Sequence, residues 1–249
     1  MKNIHIPSSI GDISANFFES DAKDKLAVLC PGYLDSKDYC HMMRLSSDLA
    51  DAGYNVICFN PTGTWDSGGE VTNYSVTQIL QDIESVIVFM HRKESYKHLL
   101  LGGHSLGGVV SLLYAQRHDN IDVVLGVMPP YSVKRTNSEE QLKAWELTGN
   151  KISERDIPGD DSHRKFRVPY SFVQDRLKYN IIDSMQDYRG KTILLAGEAD
   201  ELVKAADVER IYLAANEPKE YIVANGIGHD YRHHQDQIQI INDLLLEKL

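Results

Sequence analysis

The chain has 249 residues, 42% of them hydrophobic, and a formal net charge of −10. That length suits one large α/β domain or two small ones, and such a domain needs no disulfide or metal staple to fold. The acidic balance argues against nucleic acid, whose phosphates call for a Lys/Arg footprint, and against an anionic membrane surface.

The N-terminal stretch MKNIHIPSSIGDISANFFESD has no apolar h-region, so no signal peptide is expected there. No run approaches the roughly 20 apolar residues of a membrane span, and a cytoplasmic location is expected. The first predicted strand is Leu26–Cys30, followed by the loop Pro31-Gly32-Tyr33-Leu34. A helix over Tyr39–Ala52 stops at Gly53. Strand Asn55–Phe59 follows, then a Gly- and Ser-rich turn over Pro61–Gly69. In Ser75–His91 the spacing of Ile79, Ile83, Val86 and Met90 makes one apolar helical stripe. Strand His98–Leu101, helix Leu106–Gln116 and strand Val123–Val127 come next.

From about Pro129 to Arg189 the chain turns polar and mixed in charge. It is too long for a simple loop, and Trp145, Phe166, Tyr170, Phe172 and Tyr179 give it aromatic content that a linker lacks. A partly helical inserted cap over 129–189 is expected, leaving 1–128 and 190–249 as the core. Strand Thr192–Ala196, helix Ala205–Ala215, strand Glu220–Ala224 and helix Gln235–Leu246 complete the alternation. The fold class is therefore α/β, a mostly parallel central sheet covered by helices on both faces. Cys30, Cys40 and Cys58 are odd in number and irregular in spacing, which suggests neither a disulfide framework nor a zinc site. Cys30 and Cys58 lie in apolar runs and read as buried core residues.

The chemistry centres on Gly103-His104-Ser105-Leu106-Gly107, at the end of an apolar strand and the start of a helix. This is the context that a G-x-S-x-G nucleophile elbow requires. The serine must sit at the tip of a very sharp turn, and side chains at 103 and 107 would collide with the neighbouring strand and helix. Ser105 would stand at a helix N-terminus, where the Leu106 N–H and the helix dipole favour a developing oxyanion. A dinucleotide fingerprint or a P-loop does not fit the glycine spacing. A turn that merely packs a strand on a helix is the plain alternative.

A serine hydroxyl needs a base, and the base needs a third group to hold its tautomer. In a sheet of this kind they arrive in the order serine, acid, histidine, from loops at the carboxyl ends of strands. Asp200 follows Thr192–Ala196 and is the candidate acid, with Glu198 and Glu201 as competitors. His229 follows Glu220–Ala224 and the glycines Gly226 and Gly228, and is the candidate base. His233 and His234 lie nearby at the start of the last helix, and with His229 they raise a metal site, for which no second ligand cluster appears; no metal is expected. The second oxyanion donor is expected in the loop after Leu26–Cys30, where Gly32 allows close approach and the Tyr33 N–H is the candidate. An ordinary Pro-Gly turn is the alternative there.

These motifs, with Gly197-x-x-Asp200-x-x-Val203, Gly228-His229 and the turn Pro61–Gly69, resemble the α/β-hydrolase superfamily from about Leu26 to Leu249. Within it the chain looks like small intracellular carboxylesterases with a short cap, of the cinnamoyl (feruloyl) esterase or monoacylglycerol lipase kind. Many relatives have His-Gly in the oxyanion loop, where this chain has Cys30-Pro31-Gly32. The resemblance implies two-step hydrolysis of a small or medium ester, aromatic ones included, through an acyl-enzyme on Ser105, with no cofactor and a small-molecule ester as partner. A thioesterase, a short-peptide peptidase or an acyltransferase on the same triad would read similarly. A peptidase could recognise an amine through Glu139, Glu140, Glu146 or Glu154. A non-catalytic receptor or scaffold of the same fold is the reading from another class.

Overall fold

The computed structural model describes residues 1–249, apart from the side chain of Ser184. Strands β1 (Lys2–Ile6), β2 (Ile13–Phe18), β3 (Lys25–Cys30), β4 (Asn55–Phe59), β5 (His98–His104), β6 (Val123–Val127), β9 (Lys191–Gly197) and β10 (Lys219–Ala224) form one sheet in the order β1-β2-β4-β3-β5-β6-β9-β10. From β4 to β10 every neighbour pair is parallel, while β1, β2 and β4 pair antiparallel. The mostly parallel α/β sheet is thus present. The N-terminal pair β1–β2 was not among the expected strands. β1 is only weakly apolar because it is an edge strand whose residues are mostly exposed, and β2, although largely buried, interrupts its apolar residues with Ser14 and Asn16.

Both faces of the sheet are covered, which is why its strands read as nearly unbroken apolar runs. Alternate residues serve opposite cores. Leu26, Val28, Ile57, Leu99, Leu101 and Leu194 face one side, with helices α2 (Val76–Lys93), α3 (Leu106–Ala115) and α7 (Ala205–Ala214). Ala27, Leu29, Val56, Leu100, Leu125 and Leu195 face the other, with α1 (Cys40–Asp51) and α8 (Gln235–Leu246). The Ser75 hydroxyl accepts the Gln78 N–H at 3.0 Å and so starts α2. Cys30 and Cys58 are buried as expected, and Cys40 is exposed.

The stretch 129–189 runs between β6 and β9. It holds α4 (Glu139–Thr148), α5 (Ser171–Arg176) and α6 (Ile181–Ser184). It also holds an antiparallel hairpin, β7 (Asn150–Asp156) with β8 (His163–Pro169), which the expectation of a partly helical segment lacked. The hairpin is largely charged because only Ser153, Phe166 and Val168 of its strand residues are buried, so no apolar alternation marked it. Its aromatics pack inward. Trp145 is buried with its indole N–H on the Val168 carbonyl at 3.0 Å, and Phe172 stacks on Tyr74 at 5.3 Å. Asp175 on α5 accepts both the N–H and the hydroxyl of Thr77, fastening the segment to the start of α2.

Candidate active site

β5 ends at His104 and α3 begins at Leu106, leaving Ser105 alone to reverse the chain. Its backbone sits at φ 51°, ψ −116°, a conformation that a side-chain-bearing residue adopts only under strain. The Ser105 N–H is held by the Val127 carbonyl at 2.8 Å. A Cβ at Gly103 or at Gly107 would run into the backbone carbonyl of Cys30. The crowding expected at these two positions is there, and the neighbour responsible is the end of β3. The Leu106 N–H belongs to the first turn of α3, where helix geometry supplies no intrahelical partner.

The three side chains singled out in the sequence meet at the carboxyl ends of the strands. His229 Nε2 lies 3.0 Å from the Ser105 hydroxyl oxygen, and His229 Nδ1 lies 2.7 Å from Asp200 Oδ2. Asp200 is buried, and its other oxygen accepts the N–H groups of Leu202 at 2.9 Å and Val203 at 2.7 Å. Those bonds fix the carboxylate and leave Oδ2 for the imidazole. With Nδ1–H donated to Asp200, Nε2 is free to accept the serine proton. Glu198 turns away and accepts the Gly226 N–H at 2.9 Å, while Glu201 is exposed. His233 is exposed and takes the Arg232 Nε–H at 3.1 Å; His234 occupies the N-cap position of α8.

Tyr33 lines the same cavity as Ser105 and His229. Its loop is clamped from several sides. The Asp35 N–H reaches the Gly32 carbonyl at 3.1 Å, closing a tight turn, with Leu34 at φ 57°. The Leu34 N–H donates to the Tyr74 hydroxyl at 3.0 Å, and the Trp65 indole donates to the Leu34 carbonyl at 3.0 Å. Arg155 on β7 donates to the Tyr33 carbonyl from Nε at 3.2 Å and from Nη2 at 2.9 Å. Burial pushes the Tyr33 phenol up to about 12, against the pull of Ser153 and Arg155.

Behind His229 lies a buried polar cluster. The His104 ring stands 4.8 Å from that of His229, and His104 Nδ1 lies 3.8 Å from Asp35 Oδ2. Arg232 Nη1 donates to Asp35 Oδ1 at 2.8 Å. Burial pulls His41 down to about 3 and lowers His104, so both imidazoles are neutral at pH 7. Burial alone would raise Asp35, but His104 and Arg232 outweigh it and hold the carboxyl well below its ordinary range. Asp35, His41 and His104 bring ligand-type atoms within 4.8 Å of one another, and the Arg232 guanidinium already occupies the carboxylate of that trio. Asp35, Trp65, Tyr74, Arg155 and Arg232 were not singled out in the sequence as site residues. Their partners lie 31 to 197 residues away, and no local pattern announces such pairs.

A family model described as "Serine aminopeptidase, S33" matches residues 21–169. Among curated proteins, the uncharacterized protein YqkD of Bacillus subtilis is 25% identical over 235 residues, covering 89% of this chain and 70% of that protein. Among solved structures, Est1E of Butyrivibrio proteoclasticus with bound ferulic acid superposes with a TM-score of 0.79 at 18% identity, covering 98% of this chain and 96% of that one. The monoacylglycerol lipase of Paleococcus ferrophilus gives a TM-score of 0.77 at 19% identity, covering 94% and 97%. The fold is that of the α/β-hydrolases.

Proposed function

The chain belongs to the serine aminopeptidase S33 family, and from that premise we propose that it is a serine ester hydrolase working through an acyl-enzyme on Ser105. The observation that carries this reading is the continuous relay from the Ser105 hydroxyl through His229 to Asp200, at 3.0 and 2.7 Å, mounted on a strained turn at a helix N-terminus.

In this reading His229 takes the proton from Ser105 as its oxygen attacks the ester carbonyl. The N–H groups of Tyr33 and Leu106 receive the negative charge that grows on the carbonyl oxygen. His229 then gives its proton to the departing alcohol. Water, deprotonated by the same imidazole, releases the acid. Asp200 stays ionised throughout and steadies the charged imidazole. No cofactor takes part. The protein works in the cytoplasm, and 129–189 serves as the cap that selects the substrate, with Tyr33, Trp145 and Phe172 on the wall of the cavity over Ser105. A small or medium ester, aromatic ones included, suits that wall, and the likeness to a monoacylglycerol lipase and to a ferulic-acid-binding protein supports it.

Trimming of peptides from the amino end is the reading that the family's description brings forward. It needs acids beside the cavity to meet a substrate ammonium. Glu139, Glu140, Glu146 and Glu154 are all exposed, and none of them lines the cavity over Ser105. The two carboxylates that do line it, Asp35 and Asp230, lie 2.8 and 3.8 Å from the Arg232 guanidinium, which weighs against an aminopeptidase.

The test is labelling by a fluorophosphonate and turnover of a p-nitrophenyl ester series, for the native chain and for Ser105→Ala. Labelling confined to Ser105 and a loss of about a thousandfold or more in turnover are expected. Equal inactivity of the two folded proteins would sink the reading.

A further inference from the structure

The chain as a whole is acidic, with a net charge of −10, yet the cavity over Ser105 inverts that sign. Its volume is about 390 Å³, and Lys151, Arg155, Arg176 and Arg232 line it against only two carboxylates, Asp35 and Asp230. Asp35 serves two of the four cations. Arg232 donates to it at 2.8 Å, and Arg155 Nε stands 3.5 Å away. Asp230 lies 3.8 Å from Arg232, on an exposed side chain.

Lys151 and Arg176 are left without a carboxylate among the described residues. Arg176 is 3% exposed and meets only backbone carbonyls, those of Tyr179 at 3.0 Å and of Pro130 and Tyr131 at 3.4 Å. Burial pulls it down to about 10, which still leaves it charged at pH 7. Arg176 alone could be a strut for its segment. Lys151 is no strut. Its ammonium reaches Asn137 Oδ1 at 3.4 Å and rests 5.3 Å over the Trp145 ring. Burial first, and then the charge of Arg155, push that ammonium below its ordinary range. Two like charges thus face one partly desolvated space with no anion between them. Such an arrangement is unfavourable by itself and becomes favourable when an anion enters.

We propose that this cavity takes an ester bearing a second, ionised carboxylate, and that Lys151 and Arg176 bind that carboxylate while the ester faces Ser105. The proposal rests on the ester-hydrolase reading of the same site. The reaction is then the hydrolysis of a half-ester of a dicarboxylic acid, in which water splits the ester and the second carboxylate is unchanged.

Binding can be read without turnover. Calorimetric titration of Ser105→Ala with the monomethyl esters of succinate, glutarate and adipate, each against its neutral dimethyl ester, tests the charge and the spacing together. At least one half-ester is expected to bind about tenfold or more tighter than its diester, the usual gain of a charge-assisted contact. Adding Lys151→Met should erase most of that preference, and adding Lys151→Glu should reverse it. Lys151 is half-exposed on a hairpin, so these variants should fold where an Arg176 variant would be at risk. Diesters binding as well as half-esters, no saturable binding of any half-ester, or Lys151 variants that keep the preference would each overturn the proposal. Fluorophosphonate labelling of the native chain reports separately on the hydrolase reading, so either can fail without the other.

Discussion

Arg155 holds the backbone carbonyl of Tyr33 by two hydrogen bonds, at 3.2 and 2.9 Å, across 122 residues of chain. The peptide unit that carries this carbonyl follows directly on the N–H expected to receive the oxyanion. A change in its tilt moves the donor. Arg155→Met should lower kcat by about a hundredfold, the usual cost of misplacing such a group by an ångström. Arg155→Lys should restore only a part, because an ammonium cannot reproduce the fork. Steady-state kinetics on a neutral ester would check this, and an unchanged kcat would show that the loop holds without Arg155.

Asp200 is tied on one oxygen by two backbone N–H groups and on the other by His229. Asp200→Asn can keep the packing, but its amide must present a donor either to those N–H groups or to the imidazole. The expected outcome is the wrong tautomer of His229 and a fall in kcat of about 10⁴-fold. Circular dichroism and thermal melting should remain near native. A small loss would point to another acid.

Gly107 packs on the carbonyl of Cys30, a backbone atom at the end of a central strand that cannot swing aside. Gly107→Ala should cost about 3 kcal/mol or more in urea denaturation, because the whole strand end must shift. Labelling of Ser105 should fall with it. If Gly107→Ala were as stable as the native chain, the close approach of α3 to β3 would not be a constraint.

Acid should weaken the fold through the cluster behind His229. His41 has an ordinary value of 6.5 when unfolded and is pulled to about 3 in place, by burial first and then by the charges of His104, Arg232 and His233, with Asp35 opposing. Between those values the unfolded chain binds a proton that the folded chain refuses, so stability is full above about pH 6.5 and falls as pH drops toward 3. His104 is lowered as well and acts in the same direction, and Asp35, held below its ordinary range, adds a further loss at lower pH. His41→Phe should keep the packing against Tyr231 and flatten the decline between pH 7 and 5, measured as urea midpoints. An unaltered slope would remove His41 from the account.

What could be read from the sequence follows a physical divide. The strands of the large sheet from Lys25 onward and the long helices were legible because each buries a full face, so that Asn55–Phe59, Val123–Val127 and Gln235–Leu246 fall where the apolar runs and helical spacing placed them. Ser105, Asp200 and His229 were legible because each sits at the end of such a strand, in a fixed chain order. β1 and the β7–β8 hairpin were not, because exposed strands leave no apolar alternation. The supports were hidden for a different reason. Asp35 meets Arg232, and Tyr33 meets Arg155, only after the sheet has brought distant loops together. The charge inversion of the cavity was hidden in the same way, since Lys151 and Arg176 sit in a segment whose composition looks evenly mixed.

The strands on either side of 129–189, β6 and β9, are already hydrogen-bonded neighbours. The sheet therefore closes without the segment, and the chain leaves and re-enters at one place. Topologically the segment is a cassette, open to exchange for another of different length. Chemically it is not, because Arg155 travels with it. A replacement that brings a new pocket but no fork for the Tyr33 carbonyl would alter reactivity together with selectivity. Successful grafts at this position should be those that carry their own substitute for that one side chain.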